Sequence, residues 1–464
     1  MKNDSVKFKK ELSLGQKGCS LRKQSDGKGA TQPHFLSTEP YKGTRDFYPA
    51  DMSVRNYMFD TLSRVVEQYG YVEYDAPLLE ETALYKAKTG EEIVNEQTYS
   101  FTDRGGRDVT IRPEMTPTVA RMVARRRKSL SFPLRWYSIP NLFRYERPQR
   151  GRIREHWQLN VDIFGIDSVS ADIEIIAVAY DILRAFGATD NDFQIRVNSR
   201  QLINFLLNDF LKVKNEHAHT LSKLIDKKAK ITEKEFKAQA KEILGAKTAV
   251  FIDFLNNKDI DNLPKEFETN QGAQDLKKLF QMLNELNITN IVYDSTIMRG
   301  FDYYTGIVFE VYDTNKKNNR SLFGGGRYDN LVDIFGVEKV SGVGFGMGDV
   351  TLLDYLTTHK LLPVNLRSDT NLYICVCAEK YEKDANILAR YLRARDIGIV
   401  LDITNRKISA QIKTAVNANI PFSICIGEDE IRSGQYKLKM LSSREEKLVS
   451  KEEIIQIILG RLKQ

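Results

Sequence analysis

The chain has 464 residues, 42% of them hydrophobic and 28% charged, which is enough to build several domains with substantial cores. Its formal net charge of +7 favours a polyanionic partner but does not single out nucleic acid. The sequence lacks both a long apolar membrane segment and the apolar core of a secretory signal, so we expect a cytoplasmic protein without membrane contact.

The cysteines and histidines argue against a structural metal site and a disulfide framework. The four cysteines include no CxxC pair, and the five histidines are scattered along the chain. We therefore expect no metal ion bound by protein ligands alone.

Residues 1–40 are rich in Lys, Ser, Gly and Gln and show little periodicity, which predicts a disordered basic extension. A transit peptide is the alternative for this segment. Transit peptides are poor in acidic residues, whereas this one contains Asp4, Glu11, Asp26 and Glu39.

The folded part begins with a helix, an exposed strand and a hairpin. Helical periodicity covers residues 52–68, and an extended segment then runs to Pro77, where a proline is tolerated only at a strand end or sheet edge. Such an edge could lie at a subunit interface. A hairpin follows from Tyr99, and a helix is expected over residues 116–128. The second strand of the hairpin is predicted to present on one face Arg112, Glu114 and Thr116.

Residues 141–165 predict two antiparallel strands joined by a basic loop. The second strand alternates strictly between a core face and a polar face, the period of a half-buried strand. The polar face carries His156, Gln158, Asn160 and Asp162. In the first strand Arg144 and Glu146 share a face.

The loop of this hairpin is rich in arginine rather than lysine. A charge run is usually a solvated surface. Here, however, the planar guanidinium groups are suited to bidentate phosphate binding, and the polar strand face lies beside them. The pattern therefore indicates a phosphate-binding site, whose arginines are Arg144, Arg147, Arg150, Arg152 and Arg154.

The rest of the chain alternates between mixed and purely helical segments. A helix is predicted over residues 171–186 and a strand over residues 192–197, whereas residues 199–288 show almost only helical spacing and predict a helical insertion. Strands return from residue 291. Residues 342–356 predict a glycine-rich strand feeding a helix. Its alternate glycines either clear one face for a flat group or permit close helix packing.

The last hundred residues predict a separate α/β domain. Strands are expected at residues 372–378, 397–401 and 422–426, with helices at 382–395 and 408–417. A polar link around residues 366–370 precedes this domain.

Five motifs, in order, resemble those of histidyl-tRNA synthetase, a class II aminoacyl-tRNA synthetase, and the resemblance runs from Tyr41 to the C-terminus. The motifs are KGTRDFYP (42–49), IRPEMT (111–116), FRYERPQRGR (143–152), RGFDYYTGIVFE (299–310) and GGGRYDNLV (324–332). Together they are far more specific than any one of them alone.

The resemblance implies an α+β fold with an antiparallel class II catalytic sheet, a helical insertion and a C-terminal α/β anticodon-binding domain. The corresponding expectation is a catalytic domain at residues 41–198 and 289–362, an insertion at 199–288 and an anticodon-binding domain at 370–464. A homodimer is also implied, built across the first class II motif, which here is residues 57–77.

The resemblance also implies roles for particular residues. Arg299 and Arg144 are the expected catalytic residues. ATP is expected to contact Arg144, Glu146 and Arg152. The residues expected to bind histidine are Glu114, Thr116, Gln158, Asp162, Tyr304 and Tyr328.

The chain departs from the family pattern at two places. The third class II motif commonly ends in Gly-Leu-Glu-Arg, but here Gly348 is followed by Asp349, Val350 and Thr351, so the arginine expected to stack on adenine is absent. The strand ending HQxGxE becomes WQLNVD, with Asn160 for glycine and Asp162 for glutamate.

Two functions are compatible with these departures. The first is ATP-dependent activation of L-histidine to histidyl-adenylate and transfer to the 3′ end of tRNA(His), with Mg²⁺ accompanying the nucleotide. The alternative is a non-catalytic histidine-binding paralogue that regulates an enzyme of histidine biosynthesis. Retention of Arg144, Arg152, Arg299 and the C-terminal domain favours the enzyme.

Overall fold

The structure is a computed structural model that describes residues 36–87, 97–298, 303–318, 320–363 and 370–462. The extension predicted for residues 1–40 lies almost entirely outside these ranges, as does the polar link around residues 366–370. Residues Tyr41–Gln464 form one compact unit, to which the following description applies.

A large mixed sheet organises the first three quarters of the chain. Its neighbouring strands run antiparallel except at the two ends, where a parallel pair closes each edge. In sheet order the strands are β1 (Val72–Glu73), β5 (Leu134–Ser138), β7 (Glu155–Phe164), β12 (Gly342–Gly348), β11 (Ser321–Arg327), β10 (Ile307–Asp313), β8 (Phe193–Ser199) and β9 (Ile291–Tyr293), with β6 (Asn141–Phe143) beside β7. This arrangement confirms the predicted antiparallel sheet.

Two long helices cover one face of this sheet. Pro49–Gln68 (α1) and Ser170–Ala185 (α4) bury apolar stripes against it, as their periodicity predicts. Strand β7 turns Leu159, Val161 and Ile163 into the same core, all at most 1% exposed. The other face of β7 is thereby left for polar side chains.

The predicted helical segment after residue 199 is helical, but its core is continuous with that of the sheet. One apolar cluster joins Leu276 and Phe251 of these helices to Ile195 and Phe309 of the sheet. The helices are α5 (Arg200–Asn204, continued as a π-helix over Phe205–Phe210), α6 (Asn215–Lys227), α7 (Glu233–Leu244), α8 (Thr248–Asn256) and α9 (Gln271–Glu285).

A small sheet lies beside the large one and corrects two predictions. Strands β2 (Leu79–Glu81), β3 (Tyr99–Thr102) and β4 (Asp108–Ile111) pair in the order β2-β4-β3. The strand predicted to reach Pro77 is only two residues long. The strand predicted to present Arg112, Glu114 and Thr116 ends at Ile111, because Pro113 interrupts it and Thr116 already begins helix α3 (Thr116–Arg126). Short helix α2 (Thr82–Lys86) follows β2.

The last part of the chain is an α/β unit with its own core. Its strand order is β14-β13-β15-β16-β17, and the three predicted strands form its parallel part. The strands are β13 (Leu372–Val376), β14 (Ile399–Leu401), β15 (Phe422–Ile426), β16 (Tyr436–Met440) and β17 (Glu446–Val449). Its helices are α11 (Glu382–Arg393), α12 (Ile408–Asn417), α13 (Glu428–Ser433) and α14 (Lys451–Leu462), while α10 (Asp349–His359) ends the preceding part. Among the described residues, no helix is long and apolar enough to span a membrane.

A buried ion pair ties α4 to strand β11. Arg327 donates to both carboxylate oxygens of Asp172, and it also donates to the backbone oxygens of Ile166 and Ser168. The two side chains are 7% and 2% exposed. Arg327 thus anchors the strand end that carries Tyr328.

Replacing Arg327 with methionine should destabilise the protein by about 3–5 kcal/mol, because Asp172 would remain as a buried charge without its partner. Urea unfolding measures the change. Arg184→Met is the matched control: its ion pair with Asp190 spans 3.6 Å and both side chains are well exposed, so we expect a change of at most about 1 kcal/mol. Similar losses in the two variants would contradict the assignment.

Candidate active site

A small cavity opens on the polar face of β7, between β12, β11 and the start of α3. Carboxylate, amide, hydroxyl and guanidinium groups line it, together with aromatic rings and glycines. The lining residues are Glu114, Thr116, Arg144, Gln158, Asn160, Tyr303, Tyr304, Gly324, Tyr328, Gly344, Phe345 and Gly346.

Its floor is built from a tyrosine and an aspartate. Tyr328 donates its hydroxyl to Oδ1 of Asp162, and both side chains are almost fully buried. Burial raises the pKa of the Asp162 carboxyl to about 7. The other oxygen, Oδ2, is buried and has no hydrogen-bond partner among the described residues. The floor therefore retains an acceptor for a further donor.

The glycines of β12 are required by this floor. A Cβ at Gly344 would lie 2.4 Å from both Oδ1 of Asp162 and the backbone oxygen of Val161. At Gly346 it would lie 2.1 Å from Nε2 of Gln158. The sequence left two explanations for these alternate glycines, a flat ligand on the cleared face or close helix packing. Neither explains Gly344 and Gly346, because side chains of the site itself occupy the cleared face.

The loop after β4 supplies a carboxylate and orients an arginine. Glu114 is 3% exposed, and its Oε2 accepts a hydrogen bond of 3.1 Å from the hydroxyl of Tyr303. The backbone oxygen of the preceding Pro113 accepts from Nε of Arg144 at 2.8 Å. The same two-residue stretch therefore positions an acid and a guanidinium at the cavity wall.

The basic loop after β6 extends away from the cavity towards α10. Arg152 is half-exposed and lies 3.4 Å from the carboxylate of Glu146, which is largely buried. Arg150 forms an ion pair with Asp354 of α10 at 3.6 Å. A Cβ on Gly151 would come within 3.5 Å of the Thr351 methyl group. The loop thus lies along the first turns of α10.

The comparisons with known proteins agree with this geometry. A family model described as Histidyl-tRNA synthetase matches residues 43–350, and one described as Anticodon binding domain matches residues 371–461. A histidine-tRNA ligase of Leptospira biflexa is 46% identical over 433 residues, which cover 92% of this chain and 98% of that protein. The chain belongs to the histidyl-tRNA synthetase family.

Two further similarities support this assignment. A histidine-tRNA ligase of Thermoplasma volcanium is 36% identical and covers 91% of this chain, which in turn covers 99% of it. A crystal structure of histidyl-tRNA synthetase from a Nostoc species has a TM-score of 0.78 at 24% identity, covering 92% of this chain and all of its own. The predicted α+β class II fold is confirmed.

The structure brings most of the predicted site residues of the synthetase together. Around the cavity it places Glu114, Thr116, Arg144, Gln158, Tyr304 and Tyr328, and Asp162 lies beneath it in contact with Tyr328. Glu146 and Arg152 pair with each other outside the residues that line the cavity. Arg299 lies outside the described residues.

Sequence reasoning missed several lining residues. Tyr303, to which the sequence assigned no role, donates its hydroxyl to Glu114. Phe345 lines the cavity as well, and so does Asn160, which the sequence placed on the polar face of β7 without assigning it a role. The two adjacent tyrosines precede β10 in a turn rather than alternating along a strand, so both rings reach the same cluster.

Replacing Gly344 with alanine should cost about 1–3 kcal/mol and raise the KM for histidine, because the added methyl meets a backbone oxygen that cannot rotate away. Unfolding in urea and steady-state kinetics measure the two effects. Gly460→Ala in α14 is the control: its added methyl meets nothing within 4 Å, and alanine favours helix, so stability should stay the same or rise. A stable Gly344→Ala protein with normal kinetics would be inconsistent with the crowded floor.

The buried Asp162 should also make stability depend on pH. Its pKa is raised in the folded state, so the folded protein holds this proton more tightly than the unfolded chain. The stability that the bound proton of Asp162 gives to the folded state is fully present below about pH 4 and is lost as the pH rises through about 7. Relative to wild type, Asp162→Asn should therefore gain stability between pH 5 and pH 8, measured as the difference in Tm. A difference that is constant with pH would contradict this.

Proposed function

We propose that this chain activates L-histidine with ATP to histidyl-adenylate, releases pyrophosphate, and transfers the histidyl group to the 3′ end of tRNA(His). The observation that carries the proposal is the buried cavity, where Glu114, Gln158 and Tyr328 lie beside the arginine Arg144. Such a set can hold an amino acid at one end and present its carboxylate to a phosphate at the other.

Arg144 is proposed to contact the α-phosphate of ATP. Its Nε is held by Pro113, so the guanidinium plane is oriented before the ligand arrives. A fixed positive charge at the reacting phosphorus stabilises the charge that develops as the histidine carboxylate attacks and pyrophosphate leaves. Arg299 is proposed, from the motif that contains it, to contact the same α-phosphate and the carboxylate.

The histidine ligand is proposed to bind through two groups of residues. Glu114, Thr116 and Gln158 hold its ammonium group, and a buried carboxylate provides the countercharge for that cation. Tyr304, Tyr328 and Asp162 surround its imidazole. Oδ2 of Asp162 is buried and has no partner among the residues that the structure describes, so an apolar side chain bound in place of the imidazole would leave it unsatisfied. The site would therefore discriminate strongly against apolar isosteres.

The terminal phosphates of ATP are proposed to bind Arg152, with Glu146 at the adenine end. The exposed half of Arg152 allows the loop to reach a ligand. ATP is proposed to bind with Mg²⁺. Among the described residues, no three His, Cys, Asp or Glu side chains are grouped to hold a metal ion. In this proposal the ion is held mainly by substrate phosphates, the common arrangement for Mg²⁺.

The chain is proposed to act in the cytoplasm as a homodimer. Apolar side chains of the short edge strand β1 and of the small sheet are exposed: Val72 is 64% exposed, Phe101 49% and Leu79 46%. A second copy of the chain could cover these side chains. Light scattering of the purified protein tests the dimer.

We propose that the chain has three domains with separate roles. Residues 41–198 and 289–362, which contain nearly all of the large sheet, are proposed to form the catalytic domain, and residues 199–288 the helical insertion. Residues 370–464 form the anticodon-binding domain, which contacts phosphates and exposed bases of the tRNA anticodon loop.

Histidine-dependent exchange between ATP and labelled pyrophosphate tests the activity directly. Wild-type protein should catalyse exchange, and Arg299→Ala should lose it. Charging of tRNA(His) with labelled histidine tests the second step. Histidine binding without exchange in the wild type would mean that the chain is a histidine sensor.

A further inference from the structure

The N-terminal motif packs against the start of strand β7. The backbone oxygen of Gly43 accepts hydrogen bonds from the amides of Arg154 and Glu155, at 2.8 and 3.2 Å. Gly43 has a φ of +88°, and a Cβ there would lie 2.8 Å from the Arg154 side chain. The close approach brings Arg45, two residues later, to the adjoining end of strand β12.

Arg45 is fixed there by Asp349. Its Nη2 lies 2.6 Å from Oδ2 of this aspartate, while Oδ1 accepts from the amide of Trp157 at 3.0 Å. Asp349 directly follows Gly348, whose register partner is the cavity-lining Gln158. The ion pair therefore lies at the edge of the cavity, and 26% of the Arg45 side chain stays exposed.

Arg144 also lies near the beginning of strand β7, around His156. Strand β6 pairs Leu142 with His156, and Arg144 follows two residues later. Burial lowers the pKa of His156 to about 3, and the positive charges of Arg144 and Arg45 add to this effect. The imidazole at the beginning of β7 is therefore neutral, and this part of the strand lies close to two arginines.

The two arginines offer different chemistry. Arg45 is paired with a carboxylate at 2.6 Å, packs on Phe47 with its guanidinium carbon 4.8 Å from the ring centre, and has a buried Nε without a hydrogen-bond partner among the described residues. A charge-balanced planar group with a spare donor suits an uncharged, electron-rich ring rather than a phosphate.

Thr351 stands where the family pattern has the arginine expected to stack on adenine, and it does not replace that arginine. Its hydroxyl donates inward to the backbone of strand β11 at Leu322, over 2.7 Å, and its methyl group faces Gly151. A guanidinium nevertheless lies beside the first turn of α10, because Asp349 on that turn forms an ion pair with Arg45. The cation comes from the N-terminal motif instead of the helix itself.

We propose that Arg45 binds the adenosine part of ATP and that Asp349 is its positioning residue. This inference rests on the proposed synthetase function and adds a nucleotide contact to those proposed above for Arg144, Glu146 and Arg152. The planar guanidinium contacts the base, and the Asp349 carboxylate keeps it in place.

Steady-state pyrophosphate exchange with the full chain tests the proposal. Arg45→Ala should raise the KM for ATP about tenfold or more, while the KM values for histidine and pyrophosphate change less than about twofold. Arg45→Lys keeps the charge but lacks the planar face, so it should behave like the alanine variant. Asp349→Asn should raise the KM for ATP several-fold. Calorimetric dissociation constants for ATP test the same residues independently of turnover.

Arg55→Ala is the matched control. Arg55 lies over Phe47 and Trp157, both at 4.7 Å, so its loss disturbs the same aromatic cluster without removing the Arg45 ion pair. Its KM for ATP should stay within about threefold of wild type. The proposal is overturned if Arg45→Ala and Arg45→Lys bind ATP normally, if their KM values for ATP and histidine rise in parallel, or if Arg55→Ala weakens ATP equally. Wild-type exchange reports separately on the proposed function.

Discussion

Arg144→Ala should reduce histidine-dependent pyrophosphate exchange about a thousandfold or more. The proposed role of Arg144 is to stabilise charge at the α-phosphate, and arginines that do so in phosphoryl transfer contribute effects of that size. The loss should appear mainly in kcat, because the interaction strengthens as the transition state forms. Arg144→Lys should recover little, since Nε of Arg144 is committed to Pro113 and a lysine cannot make that contact while also reaching the phosphate.

The control for this prediction is Arg125→Ala. Arg125 is an exposed arginine in the last turn of α3, so its loss removes one positive charge without touching the cavity. Exchange should stay within about twofold of wild type, and both variants should keep the wild-type Tm within a few degrees. If Arg144→Ala retained more than a tenth of wild-type kcat, Arg144 would not be the charge that stabilises the reacting phosphate.

Glu114→Gln should raise the KM for histidine between tenfold and a hundredfold while leaving the KM for ATP within about twofold. The substitution keeps an oxygen acceptor for the hydroxyl of Tyr303, so it removes the charge but preserves the shape of the wall. A hydrogen bond to a charged group contributes about 1.5–3 kcal/mol, which corresponds to this range. The effect thus isolates the countercharge for the histidine ammonium.

Glu67→Gln is the matched control for Glu114. Glu67 also accepts a hydrogen bond from a tyrosine, the hydroxyl of Tyr137 at 2.7 Å, but it lies on helix α1 away from the cavity. Its kinetics should match wild type. Equal changes in the KM for ATP and for histidine in Glu114→Gln would indicate a general disturbance of the site instead of a lost ammonium contact.

Much of the secondary structure could be predicted from the sequence because periodicity and turn chemistry are local. The alternation along β7 identified its polar face, and the helical stripe of α1 identified its buried one. The prediction failed where a proline intervened. Residues 112–116 alternate in polarity, but Pro113 ends the strand and the next residues form a loop and a helix, so Glu114 reaches the cavity from a different element.

The sequence indicates a division between insertion and sheet, but the packing in the structure runs across that division. Composition changes at residue 199 because helices follow one another there. It does not reveal that Leu276 and Phe251 share a continuous core with Ile195 of the sheet. Local patterns report which face is apolar, but they do not report against which distant element that face packs.

Motifs and near-neighbour spacing were sufficient to establish the family, the strand and helix types, and the polar face of β7. Which distant side chains meet became apparent from the folded structure. The partnership of Arg45 and Asp349 spans 304 positions, and that of Tyr328 and Asp162 spans 166. Such pairs depend on strand order and register, which non-local packing sets and local periodicity cannot encode.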